Sequence, residues 1–101
     1  MYVLGKRIKQ ARVLVGLSQE GLGLEAGLDE MSASTRMNRY ELGRRVPSPD
    51  FVERLGKVLN VPAAFFYAVD EDEAELLVKF HRLSPSGRKQ LMKYLADLDS
   101  Q

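Results

Sequence analysis

The chain is 101 residues long, 45% apolar and 29% charged, with a formal net charge of +1 and no cysteine, so it is sized for one domain, or one domain with an appended helix or two, around a modest core. The missing cysteines exclude a disulfide framework and a cysteine zinc site and fit a reducing cytosol. No apolar run reaches the roughly 20 residues of a bilayer span, and MYVLGKRIKQAR at the start lacks a signal peptide's apolar centre, so the expected location is the cytoplasm, with no membrane partner.

Leu4, Ile8, Ala11, Leu14 and Val15 recur at helical spacing with Lys6, Arg7, Lys9 and Gln10 between them, which predicts a first amphipathic helix closed by Gly16. Ser18 caps a second helix that runs to about Ala26, with Leu22 and Ala26 facing inward. Gly23 inside it marks a close backbone approach, and Gly27 closes it. Leu28 is an apolar plug in the turn, and Asp29-Glu30-Met31-Ser32 lengthens that turn. A third helix spans about Ser34 to Leu42, with Ser32 or Ser34 as its cap, Met37 and Tyr40 as its inward stripe and Gly43 as its end. Ser48-Pro49-Asp50 is a cap, a first-turn proline and a first-turn acid. It opens a fourth helix with Phe51, Leu55, Val58 and Leu59 on its core face. Ala63 to Ala68 is a short aromatic helix. Leu76, Leu77, Phe80 and Leu83 mark a sixth helix, and Ser84-Pro85 starts a seventh with Leu91, Leu95 and Leu98 along one side. Nothing alternates with period two over more than a few residues, so no strand is expected.

Charge is unevenly placed. Residues 1–60 carry ten basic groups against seven acidic, and residues 61–101 carry five against seven. A basic front half suits a phosphate partner, and the run Asp70-Glu71-Asp72-Glu73 belongs on a face turned away from it.

Three blocks occur in order: Gly16-Leu17-Ser18-Gln19-Glu20, Ala26-Gly27-Leu28, and Tyr40-Glu41-Leu42-Gly43 followed by Pro47-Ser48. Together they resemble the Cro and lambda-repressor-like helix-turn-helix domain, the xenobiotic response element type of bacterial and phage regulators, over about Leu4 to Phe66. The chain departs from that pattern in its longer turn, in Gly23 where alanine is usual and in Asn38 where serine is common. The longer turn either meets the DNA backbone or tilts the third helix. The fold class this implies is all-α: a five-helix lambda-repressor-like helix-turn-helix bundle with two additional C-terminal helices. The expected division is residues 1–68 as DNA-binding domain and 69–101 as a helical extension for dimerisation.

The resemblance also implies roles. The third helix is the recognition helix, and Ser34, Thr35, Arg36, Asn38 and Arg39 are its base readers. Arginine pairs two donors with guanine, and asparagine pairs both its groups with adenine; the plainer alternative is a solvated polar face. Gln19 meets a phosphate or braces a recognition residue. Arg44 and Arg45 are phosphate clamps, and Lys6 and Arg7 reach the flanking backbone. Arg12 and Glu41 form a structural ion pair, because a carboxylate turned to phosphate would be repelled. His81 is the one histidine, so no metal site is expected, and no cofactor. Gly21-x-Gly23 lies in a helix and is not a nucleotide fingerprint. No acid–base constellation appears, and the 35 residues after Phe66 cannot hold a self-cleaving serine–lysine domain, so the chain is not read as an enzyme. The expected function is a sequence-specific transcriptional regulator, a repressor binding a pseudo-palindromic operator in double-stranded DNA as a homodimer. The alternative is an antitoxin or adaptor whose C-terminal helices bind a protein partner, such as a toxin.

Overall fold

The computed structural model describes residues 2–100, which are all-helical. α1 spans Val3–Leu14, α2 Gln19–Glu25, α3 Ala33–Leu42 and α4 Pro49–Leu59; a 3-10 turn covers Ala63–Tyr67, and α5 (Glu71–Arg82) and α6 (Pro85–Asp99) follow. The short aromatic helix of the sequence is thus a 3-10 turn, with Pro62 before it.

Local chemistry sets the boundaries. Ser18, Ser48 and Ser84 each accept a hydrogen bond from the backbone N–H three residues on, at 2.9, 3.2 and 3.1 Å, satisfying a donor the helix start leaves open. Asp70 accepts from the Asp72 N–H at 2.8 Å. α1 to α4 each end in a left-handed residue: Gly16, Gly27, Gly43 and Asn60, with φ of 76°, 98°, 78° and 55°. At α2 the Leu28 N–H bonds the Gly23 carbonyl at 2.9 Å and the Gly27 N–H bonds that of Leu24 at 3.1 Å, the paired closure that returns the chain toward the core. Leu28 packs against that core.

The core gathers Leu4, Ile8 and Ala11 of α1, Leu22 and Ala26, Met37 and Tyr40 of α3, Phe51, Val52, Leu55 and Leu59 of α4, and Phe65 and Phe66. Gly23 lets α2 and α3 close on each other: a Cβ there would lie 3.0 Å from the Ala33 Cβ and 3.1 Å from the Ala33 carbonyl oxygen. Leu14 does not join the core. It is 80% exposed, because the helix ends at Leu14 and the chain swings away at Gly16.

α5 packs through Ala74, Leu77 and Val78, a face rotated about the helix axis from the expected stripe, which leaves Leu76 and Leu83 exposed. α6 buries none of its residues. It is fastened at its base by Arg88, whose Nε donates to the Phe80 carbonyl at 3.1 Å and whose Nη2 donates to that of His81 at 2.8 Å. Both carbonyls belong to the last turn of α5, and that of Phe80 also accepts the Leu83 N–H at 3.2 Å. The guanidinium also lies 4.8 Å from the Phe80 ring centroid. The body measures 54 × 28 × 23 Å along its principal axes.

Candidate nucleic-acid interface

α3 buries Ala33, Met37 and Tyr40. The 3.6-residue period then turns Ser34, Thr35, Asn38 and Arg39 outward, and all four are exposed. Arg44 and Arg45 follow directly and are exposed too. Among the described residues none of Arg39, Arg44 and Arg45 enters an ion pair. The outward face of α3 and the two residues just beyond its end thus present hydroxyls, an amide and three arginines that form no ion pair among the described residues.

Behind this stripe runs a polar relay. Arg12 donates to Glu41 twice, from Nε at 2.7 Å and from Nη2 at 3.1 Å, and its Nη1 donates to the Leu17 carbonyl at 2.9 Å. The two side chains are 12% and 3% exposed, so the pair is held in a low-dielectric setting with its donors and acceptors matched. It ties α1 to the last turn of α3. Gln19 continues the relay, with Nε2 donating to Glu41 Oε1 and Asn38 Oδ1, both at 3.2 Å. The first residue of α2 therefore orients a side chain on the outward face of α3. Asn38 keeps its amide N–H groups and one lone pair for a partner.

Three residues expected at the DNA are engaged within the protein. Arg7 is not on a phosphate-facing surface: it is fully buried. Its Nε donates to the Ala68 carbonyl at 2.9 Å, Nη1 donates to Gln10 and Glu71 at 2.8 and 3.0 Å, and Nη2 donates to the Val69 carbonyl at 3.3 Å. Its positive charge is enclosed by the segment leading into α5. Arg36 is drawn off the outward stripe. Its Nη2 donates to the Tyr40 hydroxyl at 2.7 Å, and its guanidinium lies 5.8 Å from that ring's centroid, a contact along the flank of the helix. Lys6 is exposed but pairs with Glu71 at 2.8 Å, on the side where α5 begins. The hydrogen bonds from Lys6 first, and then Arg7, lower the Glu71 pKa from 4.5 to about 2.

The turn before α3 is ordered by the Asp29 side chain. Ser32 is the residue before the helix, but its side chain does not cap it. Instead the Asp29 carboxylate accepts from the N–H groups of Met31 and Ser32 at 2.9 and 3.1 Å and from the Ser32 hydroxyl at 3.0 Å. The signal was present as an aspartate four residues before the first helical position, where a short polar side chain mimics a backbone turn.

A compact helical pair, held at a fixed angle with the outward face of its second helix left polar and basic, is a helix-turn-helix. Residues 3–65 match the helix-turn-helix domain family, and the chain belongs to that family in its Cro and lambda-repressor-like form. The crystal structure of the transcriptional regulator BswR superposes with a TM-score of 0.86 at 42% identity, covering 92% of each chain. The N-terminal DNA-binding domain of SinR from Bacillus subtilis superposes with a TM-score of 0.60 at 26% identity, covering 70% of this chain and 99% of that one. An uncharacterised HTH-type transcriptional regulator of Sinorhizobium medicae (strain WSM419) is 31% identical over 64 residues, which are 63% of this chain; the chain spans 43% of the length of that curated relative.

Proposed function

We propose that this chain is a sequence-specific DNA-binding transcriptional regulator that acts in the cytoplasm as a repressor, occupying a pseudo-palindromic operator as a homodimer. The relay Arg12–Glu41–Gln19–Asn38 carries the reading. A buried ion pair at 2.7 Å holds an exposed asparagine amide in position on α3, and such preorganisation serves a rigid readout surface. In this reading Ser34, Thr35, Asn38 and Arg39 meet base edges, and Arg44 and Arg45 meet phosphates. Gln19 is a bracing residue, and the protein has no catalytic role.

The division into residues 1–68 as reader and 69–101 as assembly element belongs to the same proposal. α6 leaves Met92, Tyr94, Leu95 and Leu98 exposed, a surface suited to a second copy of itself. Two readers joined in this way would address half-sites about 34–36 Å apart. Exposure of this same face also favours a second reading, an adaptor or antitoxin that binds another protein through α6.

Selection from a random duplex pool, followed by sedimentation of the protein with the enriched site, separates these readings. An enriched inverted repeat bound by two chains, with affinity falling steeply as salt rises, supports the regulator. A protein with no salt-dependent affinity for any duplex refutes it and leaves the adaptor. A chain still monomeric on the enriched duplex at tens of micromolar refutes the dimer.

A further inference from the structure

The turn between α2 and α3 carries Met31, whose side chain is 93% exposed. Scattered exposed apolar residues are ordinary; what distinguishes this one is its position at the entry to α3. The Ala33 N–H bonds the Asp29 carbonyl at 2.9 Å and the Ser32 N–H bonds the same carbonyl at 3.2 Å. The chain from Asp29 to Ala33 therefore winds one helical turn that runs into α3. In that winding Met31 stands four residues before Thr35 and seven before Asn38, on their outward stripe, and opposite the buried Ala33 and Met37. The Asp29 carboxylate fixes the turn through its three accepted hydrogen bonds, so Met31 is presented from a set position.

The charge of the turn limits what it can touch. Asp29 and Glu30 are both acidic, and no lysine or arginine occurs between Gly27 and Thr35. A phosphate would be repelled rather than clamped there. An apolar, flexible thioether side chain that continues a base-reading stripe has one apolar counterpart in the major groove, the C5-methyl of thymine. We infer that Met31 determines specificity by packing against a thymine C5-methyl next to the bases met by Ser34 and Thr35, so that the lengthened turn extends the readout of each half-site. This inference rests on the DNA-binding reading above.

The test takes the duplex enriched by the full chain and replaces each thymine in turn by uracil, which lacks only that methyl. At one thymine per half-site the replacement is expected to weaken binding by the unaltered protein about fourfold, the worth of one methyl removed from apolar contact. Met31→Ala should abolish that sensitivity, Met31→Leu should retain it, and neither should alter the dependence on salt. If Met31→Ala shows the same sensitivity to uracil at every position as the unaltered protein, the inference is overturned while the DNA-binding reading stands. If the unaltered protein enriches no sequence at all, the DNA-binding reading fails and Met31 loses its proposed role with it.

Discussion

Replacing Glu41 by glutamine keeps the shape of the relay and removes its charge. In the native chain the carboxylate accepts two hydrogen bonds from Arg12 and a third from Gln19, and its side chain is 3% exposed. Glutamine has one acceptor oxygen where the carboxylate offers two, so at least one Arg12 donor meets an N–H group and the guanidinium is left without a counter-charge. Breaking a buried pair from one side costs about 3–5 kcal/mol, and the residual exposure of Arg12 sets the expectation at the low end, about 3 kcal/mol. For a domain of this size that lowers Tm by roughly 12–24 °C, read by circular dichroism on heating. The double substitution Arg12→Met with Glu41→Leu removes both charges and should return stability to within about 1 kcal/mol of the parent. It also deprives Gln19 of its anchor, so selectivity at the base proposed for Asn38 should fall although the fold is intact. A Glu41→Gln protein that melts within about 3 °C of the parent would refute the role of this pair in fixing α3.

Three further outcomes follow from the geometry. Arg44→Ala and Arg45→Ala each remove one clamp from both protomers of the proposed dimer, so each should weaken DNA binding almost equally across sequences and reduce the magnitude of the salt slope by about 1.8, measured by fluorescence anisotropy from low to moderate salt. Glu71 has a lowered folded pKa, so its contribution to stability is present above 4.5, its ordinary value, and is lost as pH falls toward about 2; melting curves of the parent and Glu71→Gln should converge across that window. Gly23→Ala gains about 1 kcal/mol of helix propensity, but its Cβ meets the Ala33 Cβ and carbonyl oxygen at 3.0 and 3.1 Å. Both belong to the rigid start of α3 and cannot swing aside, so overpacking of about 1–3 kcal/mol outweighs the gain, and chemical denaturation should show a net loss.

What the sequence disclosed was what is local. Ser18, Ser48-Pro49 and Ser84-Pro85 act on N–H groups within one turn of themselves, and Gly27 and Gly43 mark left-handed helix ends, so helix ends could be read from single residues. Gly23 was legible as a close approach because its lack of a side chain is itself the signal. Arg7 was not legible, because its partner carbonyl at Ala68 lies 61 residues away and backbone carbonyls carry no sequence signature. The place of Arg36 was not legible either: it stands four residues before Tyr40, whose hydroxyl accepts from its guanidinium, and spacing alone does not choose between that contact and an outward one. The exposure of α6 was equally hidden, since a leucine stripe looks the same whether it is covered by its own chain or by another.

The same distinction revises the charge argument. Ten basic groups in residues 1–60 suggested a broad phosphate-facing surface, yet three of the four in α1 are engaged within the protein: Lys6 and Arg7 with Glu71, and Arg12 with Glu41. Removing Lys6 and Arg7 from the expected phosphate contacts leaves Arg44 and Arg45, two per protomer and about four per proposed dimer. Counterion release then gives a slope of log affinity against log salt of about −3.6, where four clamps per protomer would give about −7. A measured slope near −7 for the dimer would require further cations at the phosphates, either exposed ones such as Lys9, Arg54 and Lys57 or Lys6 and the buried Arg7 released from their partners. For Arg7 that would require the segment from Ala68 to Glu71 to detach from α1, and with it the base of α5.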